Sequence, residues 1–427
     1  MQKKLLVWLL PVLFGWQVVD STEIPFELTA QEEYELTHTI YDQYFQTIPQ
    51  NPNVFQTENL YSDEELTIAG GQLQPNQHFS ITDVLINSKK ELVFQIDDKG
   101  YILASRHLLF DDVIVTETTI EQTYWTKKGF TLLTSPIANE ATEIKNDLQP
   151  YQAVMVSKIV TTSLGEFAYV TDDKGWIAVN NLSKTDNRVE AVQELLTNKY
   201  SKDTIGIYVK QLSTGQTAGV NQEKLFYSAS IAKLPILYYV QEQLNAGYID
   251  LTTKVKYTAE SMSFPGAYVA GGSGSLSKTP DNKDYSVEEL INKTAKESDN
   301  VASNLLSYYV ANKFDSNFYQ VITAKTGSEW SMVTRETSAE IAGKMMEALY
   351  IQNGYVLESL LSTQFDNQRI SKDISVPVAH KIGDADDVKH DVAIVYAGSP
   401  FVLSIFTDKS NYDEITQIAN DIYGILK

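Results

Sequence analysis

The chain has 427 residues, a formal net charge of −21 at neutral pH, 43% hydrophobic residues and no cysteine. That length predicts about two to four domains. The missing cysteine excludes disulfides, thiolate metal sites and cysteine nucleophiles. The acidity argues against nucleic acid and anionic membrane surfaces as partners, since both recruit basic patches.

The N-terminus reads as an export signal. Lys3 and Lys4 flank an apolar run from Leu5 to Val19, which is short for a straight bilayer span. Residues 1–22 are therefore expected to be a signal peptide or a membrane anchor. The location that follows is extracellular, secreted or anchored at the outer face of the cytoplasmic membrane. Residues 23–56 are expected to be a helical spacer, because apolar residues recur at helical spacing across Thr29–Ile48.

An internal duplication comes next. Leu73-Gln-Pro-Asn-Gln77 returns as Leu148-Gln-Pro-Tyr-Gln152, and Asp97-Asp-Lys-Gly-Tyr-Ile102 returns as Asp172-Asp-Lys-Gly-Trp-Ile177. Both pairs share one offset of 75 residues, which marks a repeat. Alternating strands around an Asp-Lys-Gly turn predict two small β-barrels, over 57–112 and 118–184. They resemble the bacterial SH3-like (GW-type) modules of surface proteins, a resemblance that implies either a cell-wall polymer as partner or a simple spacer. Tyr101 and Trp176 are expected to be core residues.

Thr185-Asp-Asn187 reads as a polar hinge, and a new composition follows. Helices are expected at Val189–Leu196, Ala232–Ala246, Val287–Lys296, Val301–Val310 and Ser338–Leu349. A hairpin is expected over Thr204–Lys210 and Thr217–Val220. The chain closes as strand, strand, helix: Asp391–Tyr396, Phe401–Thr407 and Tyr412–Leu426. Strands at both ends around a helical middle predict an α/β domain over 188–427. Its antiparallel sheet draws on both ends of that segment and packs against a helical part.

Three motifs in this region carry chemistry. Ser230-Ile-Ala-Lys233 opens the long helix, and a three-residue spacing puts both side chains on one face. A serine hydroxyl needs a base, and a buried lysine is one if its pKa falls. Alone the motif is also a plain helix cap. Ser298-Asp-Asn300 offers a hydroxyl for proton transfer and an amide for a substrate carbonyl, and it is equally a normal capping string. Lys381-Ile-Gly383 offers a cation for a carboxylate and a glycine for close backbone approach. Lys325-Thr-Gly327 is a rival for this third role, set aside because no hydrophobic strand follows it.

Together, in this order, they resemble the S-x-x-K, S-D-N and K-[ST]-G boxes of the class A β-lactamase and penicillin-binding superfamily. The resemblance covers about residues 190–427. It implies a serine acyl-hydrolase acting on β-lactams or D-alanyl peptidoglycan stem peptides. Ser230 would be the nucleophile, with Lys233 and Ser298 catalytic and Asn300, Lys381, Gly383 and Asp384 binding substrate. The backbone N–H groups of Ser230 and Asp384 would form the oxyanion hole. The rival is a penicillin-binding or peptidoglycan-sensing or anchoring protein with weak or no turnover. Ile382 stands where the family has a hydroxyl residue, and Asp384, Asp386 and Asp387 add negative charge. No E-x-x-L-N box lies between Asn300 and Ser338, leaving Glu329 and Glu336 as candidate deacylation bases. No cofactor or metal is expected: His380 and His390 lack metal-ligand spacing, and no phosphate loop or dinucleotide fingerprint is present.

Overall fold

The computed structural model describes Tyr44, Phe45 and residues 47–427. The expected signal segment and most of the expected spacer helix lie outside the described residues. The described end of that helix is not helical. Tyr44 forms an antiparallel bridge to Ser105, and Phe45 packs on Phe94 at 5.6 Å. Pro49 and Pro52 follow at once and cannot donate to a helical ladder.

The described chain divides into two compact units. The first comprises residues up to 121 with 131–146 and 156–179, and the second comprises 122–130, 147–155 and 180–427. In the first unit an antiparallel sheet runs in the order Ala69–Leu73, Glu58–Tyr61, Gly100–Leu103, Leu92–Ile96, Ile81–Ile86. Leu60, Leu73, Phe94, Ile96 and Ile102 form its core. Pro52–Val54 pairs with Leu109–Asp111, so this module begins upstream of the expected residue 57.

The repeated motifs adopt repeated geometry. In Leu73–Gln77 the Gln74 N–H donates to Gln77 Oε1 at 3.3 Å and Asn76 has φ +60°. In Leu148–Gln152 the Gln149 N–H donates to Gln152 Oε1 at 3.1 Å and Tyr151 has φ +64°. Each Asp-Asp-Lys-Gly sequence closes a hairpin, one between Leu92–Ile96 and Gly100–Leu103, the other between Gly165–Val170 and Gly175–Ala178. The second closure is one residue longer, pairing Val170 with Gly175 where the first pairs Ile96 with Gly100. The cross-pair Tyr61–Tyr101 has its counterpart in Leu133–Trp176. Trp176 is buried against Tyr169, whereas Tyr101 is half-buried.

The second unit carries the antiparallel sheet expected from both ends of the segment. Its order is Thr217–Val220, Ile205–Gln211, Phe401–Asp408, Val388–Val395, Val378–Ala385. Its inner strands are apolar almost throughout because both faces are covered. Ile205, Ile207, Val209, Leu403 and Ile405 pack with Val189, Val192, Ile415 and Ile418 of the helices Arg188–Leu195 and Tyr412–Leu426. Tyr208, Val402 and Phe406 face the other way, toward Ala342, Met345 and Met346 of Ala339–Gln352 and the helical part. Helix starts follow side-chain caps: Ser286, Asp299, Asp315, Ser338 and Asn411 each accept a backbone N–H of the first turn. Two helices, Ser316–Thr326 and Tyr355–Leu360, were not expected.

The segment expected to be a hinge is pinned. Asp186 accepts from Arg188 at 2.7 Å and from Gln211 at 2.8 Å, and buried Asn187 donates to the Thr126 carbonyl at 3.1 Å.

Candidate active site

The candidate nucleophile lies one turn earlier than a helix-opening serine. Ser230 sits in a 3₁₀ turn, Ala229–Ala232, and the α-helix Lys233–Asn245 begins at the lysine. Ala229 has φ +48°, a sharp entry that delivers Ser230 to the cleft. The Ser230 side chain keeps slight exposure while Lys233 is fully buried. Lys233 Nζ lies 2.9 Å from Ser230 Oγ. It also lies 2.6 Å from the Ser298 carbonyl, 3.2 Å from Ser298 Oγ and 2.8 Å from Asn300 Oδ1.

The Ser298 carbonyl and Asn300 Oδ1 can only accept, so they match the two N–H donors of a neutral amine, whose lone pair is then open to the Ser230 hydroxyl proton. Burial, reinforced by Lys381 and against the pull of Asp299, holds the Lys233 pKa well below the ordinary lysine range. Arg335 and Lys278 push the same way. The unprotonated form is the one a general base needs.

Ser298-Asp-Asn300 fulfils both readings of that string. Asp299 is the N-cap of Asn300–Tyr309, taking the Ala302 N–H at 2.9 Å, and its other oxygen takes the Leu276 N–H at 2.8 Å. Ser298, ahead of the cap, has φ +55°, which turns its hydroxyl toward the two lysines. Asn300 donates to the Val269 carbonyl at 2.8 Å and so fixes which end of its amide faces Lys233.

Lys381 lies on the edge strand Val378–Ala385 and donates to Ser298 Oγ at 2.8 Å and to the Ile382 carbonyl at 2.8 Å. Burial lowers its pKa to about 7, with Arg369 adding to the effect and Asp391 opposing it. Ser298 Oγ thus joins the two lysines, a path for a proton. Gly383 is needed for approach: a Cβ there would lie 2.8 Å from both the Ser228 carbonyl and Ile231 Cγ1. The edge strand therefore runs against the turn that carries Ser230.

The side chains of Asp384, Glu329 and Glu336 do not join this cluster. The Asp384 carboxylate turns to Arg369 at 2.5 Å and Lys389 at 2.8 Å, and it accepts from the Tyr412 hydroxyl. Its charge is spent there, so the expected negative crowding by Asp384 does not fall on the cleft. Glu329 and Glu336 are exposed, and neither hydrogen-bonds to Ser230 or Lys233. Lys325-Thr-Gly327 is a helix end, with Gly327 left-handed at φ +75° as its C-cap. Beside Lys381, His380 is buried between Asp391, 3.0 Å from Nδ1, and Asp366, 3.1 Å from Nε2. Burial opposes its charge, but the two carboxylates raise its pKa to about 9. His390 is the reverse case, lowered to about 4 by burial.

Sequence reasoning missed Tyr268 and Arg335. The Tyr268 ring lies under Lys233 Nζ at 4.5 Å, and the Arg335 guanidinium lies 3.7 Å from the same ring. No local pattern announces this, because the three residues meet only through tertiary packing.

A model of the "Beta-lactamase enzyme family" matches residues 187–426. No curated protein matches the chain. Among solved structures, PBP-A is similar at 18% identity, over 56% of this chain and 95% of its own, with a TM-score of 0.46. A β-lactamase from Sphaerobacter thermophilus is similar at 21% identity, over 56% and 96%, with a TM-score of 0.45. One from Chitinophaga pinensis stands at 19%, over 56% and 97%, with a TM-score of 0.44.

Proposed function

The chain belongs to the beta-lactamase enzyme family, and from that premise we propose that it is an exported serine acyl-hydrolase forming an ester on Ser230 with β-lactams or D-alanyl stem peptides. The observation that carries the reading is the 2.9 Å contact between Ser230 Oγ and the buried Lys233 amine, whose pKa is lowered.

In this mechanism neutral Lys233 takes the Ser230 proton as Oγ attacks the carbonyl carbon. The backbone N–H groups of Ser230 and Asp384 receive the oxyanion. The Ser298 hydroxyl passes its proton to the leaving nitrogen and is resupplied from the lysines on either side. The C–N bond breaks and the acyl group stays on Ser230. Asn300 orients the acyl-side amide, and Lys381 attracts the carboxylate of the leaving half. Ile382 removes one hydroxyl contact to that carboxylate, a loss of about 1–3 kcal/mol of charge-assisted bonding.

A second reading, a penicillin-binding protein with weak turnover, is favoured by one observation. The two candidate carboxylates, Glu329 and Glu336, are exposed, and neither hydrogen-bonds to Ser230 or Lys233. Export rests on the basic flank and the apolar run Leu5–Val19. The duplicated segment is proposed as two SH3-like modules that bind a cell-wall polymer or act as a spacer at the outer face of the membrane.

The test is intact-mass measurement after incubation with benzylpenicillin. One adduct per chain is expected, on Ser230 and absent from Ser230→Ala. An adduct that survives Ser230→Ala would remove the assignment.

A further inference from the structure

Arg335 is tied to the catalytic turn by its backbone. Its carbonyl accepts the Ser228 N–H at 2.8 Å and the Ser228 hydroxyl at 2.7 Å. It has φ +53°, which turns its side chain back over the loop before Gly272. There Nη2 donates to the Gly266 carbonyl at 2.8 Å and the Ala267 carbonyl at 3.0 Å, and the guanidinium stacks on Tyr268. Its Nε and Nη1 make no hydrogen bond, and no carboxylate pairs with it among the described residues. The other arginines of the second unit, Arg188 and Arg369, each hold an aspartate. In a chain of net charge −21, a half-buried arginine with free donors, tied by its backbone to the turn that leads into Ser230, is open to a ligand.

Its position says which half of a substrate it would meet. Lys381 lies on the edge strand, on the leaving-group wall. Arg335 and Tyr268 lie on the wall of Asn300, whose amide bonds the backbone of Val269, next to Tyr268. Asn300 is the acyl-side contact, so Arg335 faces the acyl half. Its remaining donors, Nε and Nη1, can each give a charge-assisted hydrogen bond to a carboxylate oxygen. The stack on Tyr268 and the two Nη2 bonds to carbonyls hold the guanidinium in place before ligand arrives, which lowers the ordering cost of binding.

We propose that Arg335 is a specificity anchor for a carboxylate on the acyl half of the substrate, and that the preferred acyl donors are stem peptides whose side carboxylates are free rather than amidated. This rests on the acyl-transfer reading of the site.

The experiment compares carbenicillin with benzylpenicillin, which lacks the side-chain carboxylate, as acylating agents of the full chain. Second-order acylation rates are measured for wild type, Arg335→Gln and Arg335→Lys. Whatever loss the two substrates share, the carbenicillin-to-benzylpenicillin rate ratio is expected to fall about tenfold in Arg335→Gln. Arg335→Lys should recover part of it. If Arg335 only clamps the loop, both rates drop by one factor and the ratio stays put, which overturns the proposal. Absence of any adduct on wild-type Ser230 would instead sink the acyl-transfer reading. The anchor is then judged by calorimetric titration of Ser230→Ala with a γ-D-glutamyl stem peptide and its α-amide. Tighter binding of the free acid, lost on adding Arg335→Gln, supports it, and equal affinities refute it.

Discussion

Gly272→Ala isolates the positioning of Lys233 from its chemistry. Asn300 holds Lys233 through Oδ1 at 2.8 Å, and the same amide backs onto Gly272. A Cβ at 272 would lie 2.3 Å from Asn300 Nδ2, whereas ordinary contact begins at 3.4 Å. The amide must therefore retreat by about 1 Å or turn away. A displacement of that size in a catalytic group costs on the order of 10²-fold in rate. The neighbouring Gly271 has nothing within 4 Å of its Cβ position and supplies the control. The assay is the second-order rate of covalent labelling by a fluorescent penicillin, with thermal unfolding run alongside. Gly272→Ala should label about a hundredfold more slowly and Gly271→Ala at the wild-type rate. Wild-type labelling by Gly272→Ala would show that Asn300 does not set the lysine's position.

Two further outcomes are expected. The penicilloyl ester should persist for many minutes, because losing a positioned base typically costs about 10²–10⁴-fold. Rapid multiple turnover, abolished by Glu329→Gln or Glu336→Gln, would show that a carboxylate reaches the ester after all. Stability should fall with alkali through His380. Its folded pKa of about 9 exceeds the ordinary 6.5, so its contribution is complete below about pH 6.5 and is lost as pH rises through 9. Urea unfolding of His380→Gln should show a flatter alkaline slope than wild type, and identical slopes would count against a charged His380.

What was legible in the sequence is what local signals encode. Tyr412–Leu426 could be bounded because Asn411 caps it and its apolar residues keep helical period. The three boxes were readable because their residues are few and their order is fixed. Ser316–Thr326 was hidden: Val321, Ile322 and Thr323 are β-branched, and its strongest signals are the Asp315 cap and the terminal Gly327. The aspartates beside the third box looked like repulsive charge, because the arginine that neutralises Asp384 lies 15 residues upstream and meets it only in the fold. The Tyr268–Arg335 stack and the carboxylates flanking His380 likewise depend on tertiary packing.

The pinned junction at Asp186–Asn187 bears on where the chain can be cut without loss of structure. Segments 122–130 and 147–155 belong to the same compact unit as Ser230. They are fastened to it by Asn187 on Thr126, Tyr151 on Glu194 at 2.8 Å and Lys128 on Glu194 at 3.0 Å. A protease cutting at 187 would strip those partners from the first helix and leave the Asn187 amide and Glu194 unmatched. A cut that preserves this unit must fall nearer the N-terminus, before residue 122, and the C-terminal product would carry the second repeat with it.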